Sequence, residues 1–222
     1  MDRWRHRGAA PSKRGWIVYA RSTRVQARPD AIDTGIAHLR DRVMPALMDT
    51  QGCVGLSLIV DRNSGRCIAT TSWEDEESMR ASEQSVESIR SEAAGQFGGT
   101  VENVDRWEIA VMHREHRAQE GACVRCIWLR GPDVDRAIEA YRTRVLPSVE
   151  KMDGFCSASF FVDRGSGRAV SAVAWDTREA MERSREQVNE LRTGVTQDLG
   201  AEVLEVAEFE LAIAHLRAPE LV

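Results

Sequence analysis

Hydrophobic positions in the second half of the chain change their period at a defined point. Residues 123–129 form a β-rich apolar run, after which Val134, Ile138, Tyr141, Val145 and Val149 recur three or four residues apart, the spacing of a single helix face. The first half repeats the switch, with Ile32, Ile36, Leu39, Val43 and Leu47 holding the same stripe. Pro45 and Pro147 remove a backbone donor near the end of each stripe, which predicts a kink or a stop before the turns at Gly52 and Gly154. Two extended segments come next, 53–60 and 66–73, around the loop Asp61-Arg62-Asn63-Ser64-Gly65, and they recur as 155–162 and 168–175. Asn and Gly in that loop suit the positive φ of a hairpin turn. A second helix follows each hairpin. Asp75 or Thr177 supplies its N-cap, and Met79, Ser82, Val86, Ile89 and Ala93, or Met181, Ser184, Val188 and Leu191, form its inner face before Gly98 or Gly200 ends it. A last strand, over 101–112 and 203–214, closes each half.

The halves are copies of one another. Arg42-Val43-Met44-Pro45 and Arg144-Val145-Leu146-Pro147 lie 102 residues apart, and the same interval separates Arg62 from Arg164, Trp73 from Trp175, Met79 from Met181 and His113 from His215. A constant interval excludes net insertions between these landmarks, and a unit of roughly 100 residues has the size of a small domain, not of a solenoid repeat. The order β-α-β-β-α-β within each copy predicts an α+β fold of two tandem ferredoxin-like units, each a four-stranded antiparallel sheet with both helices on one face. The expected organisation is a flexible basic tail over 1–15, a first unit over 16–114, a polar linker over 115–121 and a second unit over 122–217. Trp128, Phe155, Phe160, Phe161, Phe209 and Leu211 place apolar side chains in both registers of the strands. The sheet face turned away from the helices therefore also needs covering, and a second sheet is the natural cover.

Composition narrows the function classes. At 222 residues, 42% hydrophobic and 29% charged, the chain can bury two modest cores. Its net charge of -5 argues against nucleic acid as the main partner, because phosphate binding needs a basic face. Arg3, Arg5, Arg7, Lys13 and Arg14 make the tail basic, but it lacks the apolar segment of a secretory signal. No stretch approaches the roughly 18 apolar residues of a membrane helix, so a cytoplasmic protein is expected. Cys53, Cys67, Cys123, Cys126 and Cys156 are odd in number and do not recur at the repeat interval, which predicts free thiols. Cys123 and Cys126 have the spacing of a metal pair, yet residues three apart on a strand point to opposite faces. His113 and His215 occupy equivalent strand ends and read as structural, His38 lies beside a helix stripe, and His6 and His116 belong to the tail and the linker. No metal-ligand spacing, phosphate-binding loop or catalytic triad can be assembled, and no metal or other cofactor is expected.

The element order, the helix with Pro near its end before a Gly-led strand, and the run Trp-Glu-Asp-Glu-Glu-Ser-Met at 73–79, repeated as Trp-Asp-Thr-Arg-Glu-Ala-Met at 175–181, resemble the dimeric α/β-barrel superfamily, in particular its antibiotic biosynthesis monooxygenase-like branch. The resemblance covers both copies. It implies that the two units either complete a barrel within one chain or each pair with another chain, as a pseudo-dimer or a homo-oligomer. Functions in this superfamily include cofactor-free oxidation of aromatic molecules, heme degradation and non-catalytic stress-response or structural roles. The heme-degrading pattern of a first-strand Asn with a Trp and a His on or after the second helix is missing. Neither 16–20 nor 123–127 contains Asn, and 75–98 and 177–200 contain neither Trp nor His.

The copies differ in one informative place. Tyr141 occupies the helix slot held by Leu39, and the strands of its copy carry Ser157, Ser159, Ser171, Ala172 and Ala174, which fill less volume than Val, Leu or Ile. Close packing then leaves either a gap that takes a small apolar or aromatic ligand, or a space filled by Phe155, Phe160, Phe161 and Trp128. On the ligand reading the side chains expected at the site are Tyr141, Arg144, Ser159 and Trp175. Trp175 also suits a plug at the end of the helix-sheet core, and Arg144 a solvated charge.

Overall fold

The computed structural model describes residues 18–216 and residue 221. The basic tail, and Trp16 and Ile17 of the expected first strand, lie outside the described residues. The first copy runs β1 (Val18–Gln26), α1 (Ile32–His38), a π-helical turn (Leu39–Val43), α2 (Met44–Met48), β2 (Cys53–Asp61), β3 (Arg66–Trp73), α3 (Glu76–Ala81), α4 (Glu83–Gln96) and β4 (Thr100–Arg114). The second runs β5 (Cys123–Arg130), α5 (Val134–Ala140), a π-helical turn (Tyr141–Val145), α6 (Leu146–Val149), β6 (Phe155–Asp163), β7 (Arg168–Trp175), α7 (Arg178–Arg183), α8 (Arg185–Leu199) and β8 (Glu202–Leu216). The helix does not stop at Pro45 or Pro147. The wide π turn immediately before each proline takes up the missing N–H, so helical backbone continues through the proline to Met48 or Val149.

All eight strands close one antiparallel barrel, in the order β1-β3-β2-β8-β5-β7-β6-β4. Each long last strand serves both units. The first part of β4 pairs with β1, from Thr100 opposite Gln26 to Ile109 opposite Val18, and its end pairs with β6, from Glu108 opposite Val162 to Arg114 opposite Ser157. β8 does the same with β5 and β2, so no second chain is needed to close the barrel. The expected pair of stacked sheets is thus a barrel joined along two seams. Register shifts at Ile109/Val111 and Leu58/Ile59 lie within those seams, where a bulge lets a strand bend. At equivalent points of the two seams Arg62 reaches Glu210 at 2.6 Å and Asp33 at 2.9 Å, while Arg164 reaches Glu108 and Asp135, both at 2.7 Å. Both arginines are half-exposed and Asp33 and Asp135 largely exposed, so these pairs add little to stability.

Three apolar clusters result. Ile32, Leu39, Leu47, Trp73, Met79 and Phe97 fill the helix side of the first unit, and Ile138, Tyr141, Leu146, Phe160, Trp175 and Met181 fill that of the second. Val18, Ile68, Trp107, Val124, Trp128 and Phe209 lie inside the barrel.

The expected second helix of each copy is broken in two, at Ser82 and Ser184, and a buried arginine explains the break. Arg125, on β5, donates from Nη2 to the Met181 carbonyl at 2.8 Å and from Nη1 to Ser184 Oγ at 3.2 Å, while Ser184 Oγ donates to the same carbonyl. That carbonyl lies in the last turn of α7, where a cation is favoured. Arg21 makes the same contacts to Met79 and Ser82. Each guanidinium also lies over an indole, Arg21 at 5.7 Å from the Trp73 ring and Arg125 at 5.2 Å from that of Trp175. The two arginines are 104 residues apart, not 102, because the β5–α5 connection is two residues shorter than β1–α1. Their acidic partners have changed places. Glu83 on α4 and Arg106 on β4 correspond to Arg185 on α8 and Glu208 on β8, so the first arginine pairs with a helix carboxylate and the second with a strand carboxylate.

The hairpin loops impose one strict backbone requirement. Gly65 has φ +77°, and a Cβ there would lie 2.2 Å from the Ala27 carbonyl, to whose own amide the Gly65 carbonyl is bonded at 2.8 Å. Gly65→Ala should therefore lower stability by about 2–3 kcal/mol in urea unfolding. Gly95→Ala, with nothing within 4 Å on helix α4, should match or slightly exceed wild type.

Candidate functional site

The barrel interior is not filled. A cavity of about 620 Å³ runs between the two halves, within the size range of small-molecule sites. Strand alternation decides its lining. Ser157, Ser159 and Phe161 of β6 and Ala172 and Ala174 of β7 face inward, while their neighbours Phe160, Ser171 and Val173 face the helices. The small residues that the sequence places beneath Tyr141 thus mostly open the barrel lumen, on the other face of the sheet.

Equivalent positions make the lumen asymmetric. Ser22, Thr70, Ser72 and Arg114 of the first unit line one side, and their counterparts Cys126, Ala172, Ala174 and Leu216 line the other. Three large aromatics, Trp107, Trp128 and Phe161, complete the wall. Ser22 Oγ and Thr70 Oγ1 are 3.0 Å apart on the polar side. On the apolar side burial pushes the Cys126 thiol up to about 12, so it stays protonated at neutral pH and is no nucleophile.

The four expected site residues do not converge. Ser159 lines the lumen. Tyr141 is buried on the helix side, stacked on Phe160 with ring centroids 4.5 Å apart, beside a residual space of about 80 Å³. Its hydroxyl donates to the Ser159 carbonyl at 3.4 Å and accepts from Ser171 Oγ at 3.3 Å, and burial raises its pKa. Phe160 and Tyr141 together fill most of the volume that the sequence left open. Trp175 is fully buried under Arg125 and does not line the lumen. Arg144 is on the surface, 2.7 Å from Asp198. Tyr141→Phe should accordingly cost about 0.5–1.5 kcal/mol in denaturant unfolding, through two long hydrogen bonds, and leave lumen binding unchanged.

Cys123 and Cys126 lie in the helix-side and barrel clusters respectively, as alternation requires. A different set of donors meets at one mouth of the lumen. His116 Nε2 lies 2.7 Å from Asp176 Oδ1, and the ligating atoms of His116, Cys156 and Asp176 all fall within 4.8 Å of one another. Burial and the neighbouring Asp176 raise the pKa of the Cys156 thiol. Nothing in the spacing of 116, 156 and 176 signals this meeting, because the residues come from the linker, the start of β6 and the residue after β7. No described helix is long and apolar enough to cross a membrane.

Residues 19–94 match the antibiotic biosynthesis monooxygenase family. The whole chain is similar to two uncharacterized proteins of Mycobacterium tuberculosis H37Rv. Rv2557 is 58% identical, covering 97% of each chain, and Rv2558 is 57% identical, covering 97% of this chain and 92% of that one. An anthrone oxidase-like protein overlays with a TM-score of 0.62 at 13% identity, covering 94% of this chain and 96% of that one. A ferredoxin-fold protein of Listeria monocytogenes related to antibiotic biosynthesis monooxygenases overlays with a TM-score of 0.53 at 9% identity, covering 88% and 95%. At such identities these two structures speak to the fold alone.

Proposed function

Because the chain belongs to the antibiotic biosynthesis monooxygenase-like branch of the dimeric α/β-barrel superfamily, as a tandem duplication that closes its barrel within one chain, we propose that it binds a small aromatic molecule in the barrel lumen. The observation that carries this reading is the lumen itself, about 620 Å³ in a protein interior that ordinarily packs without voids. Its walls indicate the ligand's shape. Trp107, Trp128 and Phe161 offer apolar ring surface to a planar molecule, and the hydroxyls of Ser22, Thr70 and Ser72, with Ser157 and Ser159 beside the alanines, suit oxygen substituents on it. Five free thiols suit a cytoplasmic setting.

Titration with 1-naphthol and with anthrone tests the reading through the fluorescence of Trp107 and Trp128. Saturable quenching at one site per chain is the expected result, and no saturation with either compound removes the proposal. Cofactor-free oxidation is a further step on the same site. With a naphthohydroquinone, two electrons and two protons would pass to O2, giving the quinone and hydrogen peroxide. Oxygen uptake above the protein-free rate assigns an oxidase, whereas binding without uptake assigns a carrier or sensor.

A further inference from the structure

The linker after β4 crosses the start of β6 and the end of β7 at one mouth of the lumen. Backbone bonds tie the crossing together, Glu115 N donating to the Cys156 carbonyl at 3.0 Å and Asp176 N to the Gly154 carbonyl at 2.8 Å. Cys156 occupies the register shift between Phe155 and Ser157, and its Sγ lies 3.6 Å from the His116 carbonyl. The three side chains on this frame are an imidazole, a thiol and a carboxylate.

We propose that His116, Cys156 and Asp176 form a binding site for a divalent transition-metal ion, with zinc the best chemical match. Nitrogen, sulfur and carboxylate oxygen are the donors zinc takes, in fours at about 2.0–2.3 Å, and three protein ligands leave one position open. His116 and Cys156 both line the lumen, so that open position is available to water or to a molecule inside the barrel. Fold symmetry does not require the trio. The first-copy counterparts of Cys156 and Asp176 are Val54 and Glu74, so the thiol is a property of the second copy only. Binding would exchange the Cys156 S–H proton for the metal and release that proton to solvent. The metal site does not depend on the proposed aromatic ligand, and its test uses metal alone.

Tag-free protein kept reduced with a phosphine would be titrated with Co2+ and then with Zn2+, under optical spectroscopy and calorimetry. One equivalent of Co2+ should bind with a near-ultraviolet thiolate-to-cobalt charge-transfer band, and Zn2+ should displace it. Cys156→Ser should abolish that band, while Cys53→Ser keeps it. His116→Ala and Asp176→Asn lie at the exposed mouth and should retain the wild-type circular dichroism, yet weaken Zn2+ binding by more than about tenfold. They keep the test decisive should Cys156→Ser not fold. Failure of Co2+ to saturate the wild-type protein, or an unchanged Zn2+ affinity in both mouth variants, overturns the proposal.

Discussion

Arg125→Ala should lower the free energy of unfolding by about 3–5 kcal/mol, the range found when one partner of a buried ion pair is removed. In a chain of this size that corresponds to a fall in Tm of about 6–20 °C. The side chain is 2% exposed and serves four groups, Glu208 Oε1 at 2.9 Å, Ser184 Oγ, the Met181 carbonyl and the Trp175 face. Truncation takes the buried donor from the Glu208 carboxylate, which keeps only the exposed Arg185, and one of two donors from the Met181 carbonyl, which keeps Ser184 Oγ, and it opens a space beneath an indole. Arg125→Lys should recover only part of the loss, because a single ammonium cannot span the carboxylate, the hydroxyl and the carbonyl in the plane of a guanidinium. Arg144→Ala, on a surface pair, should stay within about 0.5 kcal/mol of wild type. A loss below about 1 kcal/mol for Arg125→Ala would show that the network contributes no more than a surface contact does.

The same pair sets a pH dependence. Burial acts to raise the pKa of Glu208, but the hydrogen bonds from Arg125 and Arg185 outweigh it and hold the carboxyl below the usual Glu range. A depressed folded pKa contributes stability that is present above the ordinary Glu value and fades as pH falls through the lowered one. Wild type should therefore lose stability on acidification over that window, and Arg125→Ala should lose less of it, since its carboxylate no longer has the arginine to give up.

Ala172→Leu and Ser171→Leu should move stability in opposite directions although the positions are adjacent on β7. Ala172 faces the lumen, where a larger aliphatic side chain meets open space and removes apolar surface from water, a gain of about 1–2 kcal/mol. Ser171 faces the packed side, 3.3 Å from the Tyr141 hydroxyl, and overpacking there should cost about 1–3 kcal/mol. Binding should divide the other way. Ala172→Leu occupies ligand volume and should weaken 1-naphthol affinity by more than about tenfold, which is a loss of about 1.4 kcal/mol, while folded Ser171→Leu binds as wild type does. Denaturant unfolding and fluorescence titration on the same four samples, wild type, both variants and the double variant, decide the matter. If Ala172→Leu destabilises the protein and leaves binding intact, the lumen is not the ligand site.

Much of the architecture is legible in residue order. The stripes beginning at Ile32 and Val134 placed two helices correctly, the hairpins around Gly65 and Gly167 fell where strand periodicity put them, and Asp75 and Thr177 do cap α3 and α7, accepting from Ser78 N at 2.7 Å and Ala180 N at 3.2 Å. These features are local, set by residues within a turn or two of one another, so their signal lies in consecutive positions. The duplication added the one long-range fact available without coordinates, that both halves fold alike.

Other features depend on which distant groups meet. Alternation alone separates Ser159 and Phe161 from Phe160, but it does not say which set faces the helices, and the small residues expected beneath Tyr141 mostly open into the barrel. Arg21 and Arg125 were hidden because a two-residue shorter connection moved them off the repeat interval, and because an arginine within an apolar strand reads as surface until the Met79 and Met181 carbonyls are seen to face it. His116, Cys156 and Asp176 come from segments 40 and 20 residues apart. Each unit's elements and their order are local properties, because periodicity, caps and turn chemistry act over a few residues. The closed barrel, its lumen and the groups at its mouth emerge only once the halves pair, because closure is set by pairing between β2 and β8 and between β4 and β6, where residues far apart in the chain share hydrogen bonds that no local pattern encodes.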